Sequence, residues 1–269
     1  MTCIVADCCA NHCGERRMMD EMIQKAALAG VDVIKFQSFK ADKLRKDWPD
    51  YENAYTYYKK HELSEDDHHW LIQQCKTYGI EFLTTVFDLE TVDFLAGLGL
   101  DRVKIASPDC NNWPLIDKCL DKFEHVIIST GMHSQAEIVD LANYLASKNA
   151  MSRVTAMHCV SLYPTPPDKV NMLRLGWMMR LFHSVGFSDH TIGTEAAKLA
   201  ISLGAACVER HFTLDRRLPG KDQMLSAEVD DFSELVEWRD MVQMLMYSPD
   251  EFPDEGARVY RGKWGDKSA

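Results

Sequence analysis

Residues 3–29 read C-I-V-A-D-C-C-A-N-H-C-G-E-R-R-M-M-D-E-M-I-Q-K-A-A-L-A: a short apolar strand, a polar turn, then a helical stretch from about Arg16 to Ala29. The period of the hydrophobic pattern changes across the turn, as it does in a strand-loop-helix unit. The strand ends on a charged residue, Asp7, and the turn after it carries Asn11 and His12.

The same unit recurs along the chain. Strands are predicted at V-I-K-F-Q (33–37), I-E-F-L-T (80–84), R-V-K-I-A (102–106), H-V-I-I-S (125–129), R-V-T-A-M-H (153–158), S-V-G-F-S (184–188) and A-C-V-E-R-H (206–211). Helices are expected from Ser64, Asp88, after Asn112, from Ser134, about Asn171, Thr194 and Glu228, the last running to Met246. Eight strands and eight helices in alternation favour a closed (β/α)8 TIM barrel over an open doubly wound sheet. Helix punctuation agrees: Ser64-x-x-Asp67 and Ser134-x-x-Glu137 resemble capping boxes, and Asp88 is placed to cap its helix. Gly30, Gly79, Gly99 and Gly204 fall where left-handed C-caps are expected.

At 269 residues, one domain is the default. Residues 1–247 are assigned to the catalytic barrel and 248–269 to a C-terminal arm too short for a second core. The connection from Ser38 to Leu63 carries Trp48, Tyr51, Tyr55, Tyr57 and Tyr58, and reads as a lid, substrate rim or subunit interface. A formal charge of -11 argues against nucleic acid and anionic membranes as partners. With no membrane-length apolar run and no export signal, a cytoplasmic protein is expected. The nine cysteines include no C-x-x-C pair, so reduced, packed thiols are expected. A thiolate metal cluster of Cys8, Cys9 and Cys13 is the competing reading.

In such a barrel, strand ends and the loops after them share one mouth. That gathers Asp7, Asn11, His12, Lys35, Gln37, Thr84, Thr85, Lys104, Ser107, Asp109, Ser129, Thr130, His158, Ser161, Tyr163, Ser188, Asp189, His190, Glu209, Arg210 and His211. Lys35 and Lys104 stand in apolar strands, and suit an anion held with hydroxyls from Thr85, Ser107, Ser129 and Ser188. Pairing with interior acids and Schiff-base chemistry are the alternatives for these lysines. His190 and His211 end adjacent strands and suit a borderline divalent metal such as manganese, or serve as a general acid or packed polar groups. Asp7 and Asp109 are candidate bases; the plainer alternatives are pairing of Asp7 with a lysine and capping by Asp109.

Taken in order, A-D-C-C-A-N-H-C-G (6–14), I-K-F-Q (34–37), K-I-A-S (104–107), I-S-T-G-M (128–132), H-C-V-S-L-Y-P-T-P (158–166), F-S-D-H-T-I-G (187–193), E-R-H-F-T-L-D-R (209–216) and G-K-D-Q (220–223) resemble the N-acetylneuraminate (sialic acid) synthase family. The resemblance runs from about Cys3 to Met246. It implies condensation of phosphoenolpyruvate with a sugar aldehyde to a 2-keto-3-deoxy sugar acid and phosphate. It places His190 and His211 as ligands of manganese, with magnesium or cobalt as alternatives. It puts Lys35, Thr85, Lys104, Ser107, Ser129, Ser161 and Ser188 around phosphoenolpyruvate, Asp7 and Asp109 at catalytic carboxylate positions, and Asn11, Tyr163 and Asp222 toward the sugar.

Three departures stand out. Asp7 is a methylene shorter than the family's glutamate, Lys221 and Gln223 alter the usual G-P-D-H, and Val86 replaces a proline. The family's C-terminal antifreeze-like domain is not expected in this sequence, which points to a divergent aldehyde or a separate subunit completing the site. A homodimer is the expectation from the family. A Schiff-base lyase or a non-catalytic binding component are the competing functions.

Overall fold

A computed structural model describes residues 1–246; the expected arm at 248–269 lies outside the described residues. The strands are β1 (Cys3–Asp7), β2 (Val33–Ser38), β3 (Glu81–Val86), β4 (Arg102–Ile105), β5 (His125–Ser129), β6 (Val154–Cys159), β7 (Val185–Asp189) and β8 (Cys207–His211). All pair in parallel, in sequence order, and β1 pairs with β8 to close the barrel. The helices are α1 (Arg16–Leu28), α2 (Tyr51–His61), α3 (Glu65–Tyr78), α4 (Leu89–Gly97), α5 (Trp113–Lys122), α6 (Gln135–Ser147), α7 (Leu173–Met178), α8 (Glu195–Ser202) and α9 (Val229–Leu245).

The expected barrel is therefore observed, with one extra helix among the described residues. The aromatic connection after β2 is not a plain loop. Its residues 51–61 form α2, whose Tyr51 and Tyr55 rings stack on the same face at 5.8 Å, one helical turn apart.

Local chemistry explains the register. Ser64 and Ser134 each complete a capping box, with Asp67 and Glu137, and Asp88 accepts from the backbone N–H groups of Glu90 and Thr91. Gly30, Gly79, Gly99 and Gly204 all take positive φ, ending their helices as expected. The seam between the first and last units is pinned by Asp32, whose carboxylate accepts from the Ile4 backbone N–H at 2.7 Å and from Arg239 at 2.7 Å.

Side-chain alternation divides each strand between two environments. Ile4, Ile34, Phe36, Phe82, Val103, Ile105, Val126, Ile128, Phe187 and Val208 face outward into the layer packed by the helices. Each such side chain contributes roughly 1.5–3 kcal/mol by leaving water. Val5, Val33, Leu83, Ile127, Met157 and Cys207 face inward and form a separate apolar plug in the barrel. One step further along the same inward rows come Asp7, Lys35, Thr85, Ser129, Cys159 and Glu209. The site is thus the next layer of side chains above a packed floor.

Alternation also corrects several mouth assignments. Thr84 faces outward, where it bonds Ser38 Oγ (2.6 Å), which in turn meets His68 Nε2 (2.6 Å) and ties α3 to the sheet. His158 also points out and bonds the Val170 carbonyl through Nε2 at 2.7 Å. Asp189 and Arg210 form a buried pair at 2.8 Å, and Arg210 also holds the Thr191 and Gly193 carbonyls. These groups brace the loop after β7 rather than face the mouth.

Candidate active site

Eleven of the predicted site residues line one cleft of about 290 Å³ at the strand C-termini: Asp7, Lys35, Thr85, Lys104, Ser107, Ser129, Ser161, Tyr163, Ser188, His190 and His211. Gln37, Phe87, Met132, Cys159 and Glu209 line it as well. The remaining three predicted residues stand apart. Asn11 is buried behind the wall, donating to the Phe212 carbonyl (2.8 Å) and Ser226 Oγ (2.9 Å), so it fixes the β1 loop to the β8 loop. Asp109 accepts from Asn112 Nδ2 at 2.8 Å and belongs to the turn before α5. Asp222 lies at the rim beside His211 and Cys9.

Four buried charges form the floor of the cleft. Lys35 Nζ donates to Asp7 Oδ2 at 2.8 Å and Thr85 Oγ1 at 3.0 Å, and stands 3.8 Å from Glu209. Lys104 Nζ donates to Glu209 Oε1 at 2.5 Å, an oxygen that also accepts from Ser188 Oγ at 3.2 Å. Two ammonium groups and two carboxylates cancel formally, which is how such charges are tolerated away from water. Burial pushes the Asp7 carboxyl up, but Lys35 and His211 outweigh it and hold it below its ordinary value. Glu209 is likewise held down, with burial overcome by Lys104 and Lys35. Burial pulls Lys35 down, while Asp7 and Glu209 prevail and raise it. A Schiff base needs a neutral amine, and this environment opposes one at Lys35.

Pairing with interior acids, the alternative reading for the lysines, thus coexists with their place, buried, in the lining of the cleft. Glu209 is the group that links them. Its position in β8 places it at the mouth, but its residue type alone assigns it no role. Its function as the shared counter-charge is visible only across the barrel axis.

Hydroxyls complete the lining. Ser129 Oγ and Ser161 Oγ are buried and bond no other protein group, so both hydroxyls are free to bond a polar ligand in the cleft. Gly131 sits between them and Ser107, whose Oγ accepts from the Gly131 N–H at 3.0 Å. A Cβ at Gly131 would fall 2.4 Å from Ser161 Oγ and 2.8 Å from Ser107 Oγ, so only glycine leaves this polar niche open.

His190 and His211 face one another with ring centroids 5.1 Å apart, and the Tyr163 ring lies 4.3 Å from His190 and 5.8 Å from His211. Burial lowers His211 to about 4, so its imidazole is neutral at neutral pH, the state in which it ligates metal. Its Nδ1 is buried without a partner. His190 Nδ1 bonds the Val160 carbonyl at 2.9 Å, the kind of support that orients a metal-binding imidazole and leaves Nε2 free. Burial lowers the His190 pKa, but its contact with Cys159 outweighs that and raises it. The donor set therefore fits a divalent cation. Cys9, His211 and Asp222 also form a three-donor group, with ligand atoms mutually within 4.8 Å. Among Cys8, Cys9 and Cys13, only Cys9 enters it.

The altered G-K-D-Q segment acts in two ways. Gln223 is buried, bonding Thr213 Oγ1 and donating to the Asn11 carbonyl at 3.1 Å, so it holds the loop from behind. Lys221 Nζ lies 4.2 Å from the centre of the Tyr57 ring on α2, which brings the aromatic insertion to the rim. Either residue type alone reads as a surface loop; the juxtaposition is set by the tertiary fold.

A closed parallel barrel with a charged, hydroxyl-lined cleft and paired histidines at its C-terminal mouth defines a (β/α)8-barrel protein with an enzyme-like ligand site. The chain belongs to the NeuB family, which it matches over residues 22–249. It is 35% identical over 253 residues to the N,N'-diacetyllegionaminic acid synthase of Legionella pneumophila, covering 88% of this chain and 71% of that protein. To the human N-acetylneuraminate-9-phosphate synthase it is 31% identical over 258 residues, covering 91% and 71%. Among solved structures, the N-acetylneuraminic acid (sialic acid) synthetase of Leptospira borgpetersenii, in complex with citrate, superposes with a TM-score of 0.87 at 28% identity, covering 97% of this chain and 90% of that one. A truncated 3-deoxy-D-arabino-heptulosonate 7-phosphate synthase from Thermotoga maritima, at 17% identity and a TM-score of 0.71, shares the barrel fold. No helix among the described residues is long and apolar enough to cross a membrane.

Proposed function

We propose that this protein condenses phosphoenolpyruvate with a sugar aldehyde, giving a 2-keto-3-deoxy sugar acid and inorganic phosphate. The observation that carries this reading is the convergence of Lys35 and Lys104 with the unpartnered hydroxyls of Ser129 and Ser161 in one cleft beside His190 and His211. Membership of a family whose named relatives are sugar-acid synthases supports it.

The lysines offset the substrate's carboxylate and phosphate charge, and Thr85, Ser107, Ser129, Ser161 and Ser188 supply hydrogen bonds that orient it. The C2=C3 π pair of phosphoenolpyruvate forms the new bond from C3 to the aldehyde carbon, the C=O π pair moves to oxygen, which takes a proton to become a hydroxyl, and C2 is left cationic. Water adds at C2, and the C2–O bond to phosphate then breaks, releasing phosphate and leaving the ketone. Asp7 is the base that takes the water proton: its carboxylate is ionised, with Oδ1 held by the Cys9 N–H at 3.0 Å and Oδ2 held by Lys35 at 2.8 Å. His190 and His211 would hold a divalent cation, manganese or a similar ion, which would supply electrophilic polarisation of the aldehyde oxygen. Tyr163 and Asp222 stand at the rim, where the sugar chain would extend, and Asp109 is assigned a role in shaping the β4 turn.

Purified protein supplied with manganese and phosphoenolpyruvate should release phosphate only when an acceptor aldehyde from a panel of N-acylated and plain sugars is added. Product mass identifies the acceptor. Phosphate release that ignores the aldehyde, or pyruvate trapped on a lysine by borohydride, would replace the proposal with hydrolysis or Schiff-base chemistry.

A further inference from the structure

Cys9 occupies a position that packing alone does not explain. It follows β1 in a left-handed backbone conformation, φ 37°, which is costly for a residue with a side chain, and its thiol is free and buried. Its Sγ, a ring nitrogen of His211 and a carboxylate oxygen of Asp222 all lie within 4.8 Å of one another. The other commitments of these residues leave their donor atoms open. His211 Nδ1 is buried without a partner. Asp222 engages Leu225 and Ser226 through its backbone carbonyl, and the neighbouring Lys221 ammonium is turned to the Tyr57 ring.

A thiol, a neutral imidazole and a carboxylate around one point are complementary to a divalent cation. A thiolate and a carboxylate supply two negative charges to its two positive ones, and the thiol proton passes to solvent on binding. Ligand atoms around a tetrahedral ion of zinc size stand roughly 3.3–3.8 Å apart. Closure from the present spacing thus requires side-chain movements of the order of 1 Å. Thiolate with imidazole favours zinc or cobalt over manganese, whose preferred partners are oxygens.

We propose that Cys9, His211 and Asp222 form a divalent-cation site for thiophilic borderline ions, with Cys9 bound as thiolate. The site shares His211 with the His190–His211 pair and so deepens the metal reading of the proposed synthase, resting on the mouth as a metal site but not on turnover. It makes Cys9 a metal ligand and assigns zinc or cobalt(II), rather than manganese, as the tighter-binding ion.

The test is a cobalt(II) titration of the EDTA-dialysed protein, read by the near-ultraviolet sulfur-to-cobalt charge-transfer band and checked for folding by circular dichroism. Wild type, Cys159→Ser and His190→Gln should develop the band, saturating near one equivalent in wild type. Cys9→Ser and Cys9→Ala should lose it and bind cobalt at least about tenfold more weakly. Zinc should displace the cobalt at lower concentration than manganese does. A wild-type protein that binds no cobalt, or binds it without the band, overturns the proposal, as does a band that survives both Cys9 variants or disappears with Cys159→Ser. Phosphate release measured on the same samples separates the two claims. A Cys9-dependent band without turnover keeps the site and removes the synthase, and turnover without the band does the reverse.

Discussion

Lys104 on β4 reaches across the barrel to Glu209 on β8, donating to its Oε1 at 2.5 Å, although the two residues are 105 positions apart. Because Lys35 also faces Glu209, this carboxylate is shared by both ammonium groups, with Asp7 as the second counter-charge. Replacing it with alanine leaves a buried charge uncompensated, a change that costs about 3–5 kcal/mol. Glu209→Ala should therefore unfold at lower temperature than wild type and recover more stability than wild type on adding phosphoenolpyruvate. Equal ligand-induced shifts in the two proteins would mean that Glu209 does not compete with the anion for the lysines.

Asp7 carries the proposed base function. Asp7→Asn keeps the side-chain size and a partner for the Cys9 N–H but cannot take a proton. Turnover should fall about a hundred- to ten-thousand-fold, with the loss in kcat rather than in KM for phosphoenolpyruvate. A loss confined to KM would reassign Asp7 to charge balance for Lys35.

Gly131 keeps the hydroxyl niche open. Gly131→Ala places a methyl carbon against Ser107 and Ser161, so KM for phosphoenolpyruvate should rise about tenfold or more, with a stability cost of about 1–3 kcal/mol. Unchanged KM would show that phosphate and carboxylate lie elsewhere in the cleft.

Acid stability follows from buried neutral imidazoles. Burial holds His211 near 4 in the folded protein, with Asp7 opposing and His190 adding to the shift, against 6.5 when exposed. Between those values the unfolded chain binds more protons, so stability rises with pH across the window and is lost as pH falls through it. The contribution is on the order of a few kcal/mol, and His12, also near 4 through burial, adds to the same slope. In EDTA, His211→Gln should show a shallower dependence of Tm on pH from about 6.5 to 4 than wild type. An unchanged slope would place His211 in a solvated environment. The carboxyls of Asp7 and Glu209, held below their ordinary values, lose their contribution at still lower pH.

Much of this architecture is legible in the sequence because barrel strands repeat a local signal. The apolar runs, capping boxes and C-cap glycines each depend on a few neighbouring residues, and all of them reappear in the structure. Within the mouth, the period of two separates Thr85, which faces inward, from Thr84, which does not; the strand-end motif alone does not choose between them. The α2 helix was obscured because its tyrosines read equally as a loop rim. Cys9 and Cys159 were obscured because buried cysteine is ordinarily inert packing. Their neighbours, His211 with Asp222 and His190, come from distant units and converge only when the barrel closes.

The most direct test of the condensation is to supply phosphoenolpyruvate labelled in its bridging oxygen, together with the acceptor aldehyde, and follow the label. Breaking of the C2–O bond after water addition predicts aldehyde-dependent phosphate that carries the label, alongside a sugar acid whose mass equals aldehyde plus pyruvate. Label retained in the organic product, or labelled phosphate formed equally without aldehyde, would contradict the account.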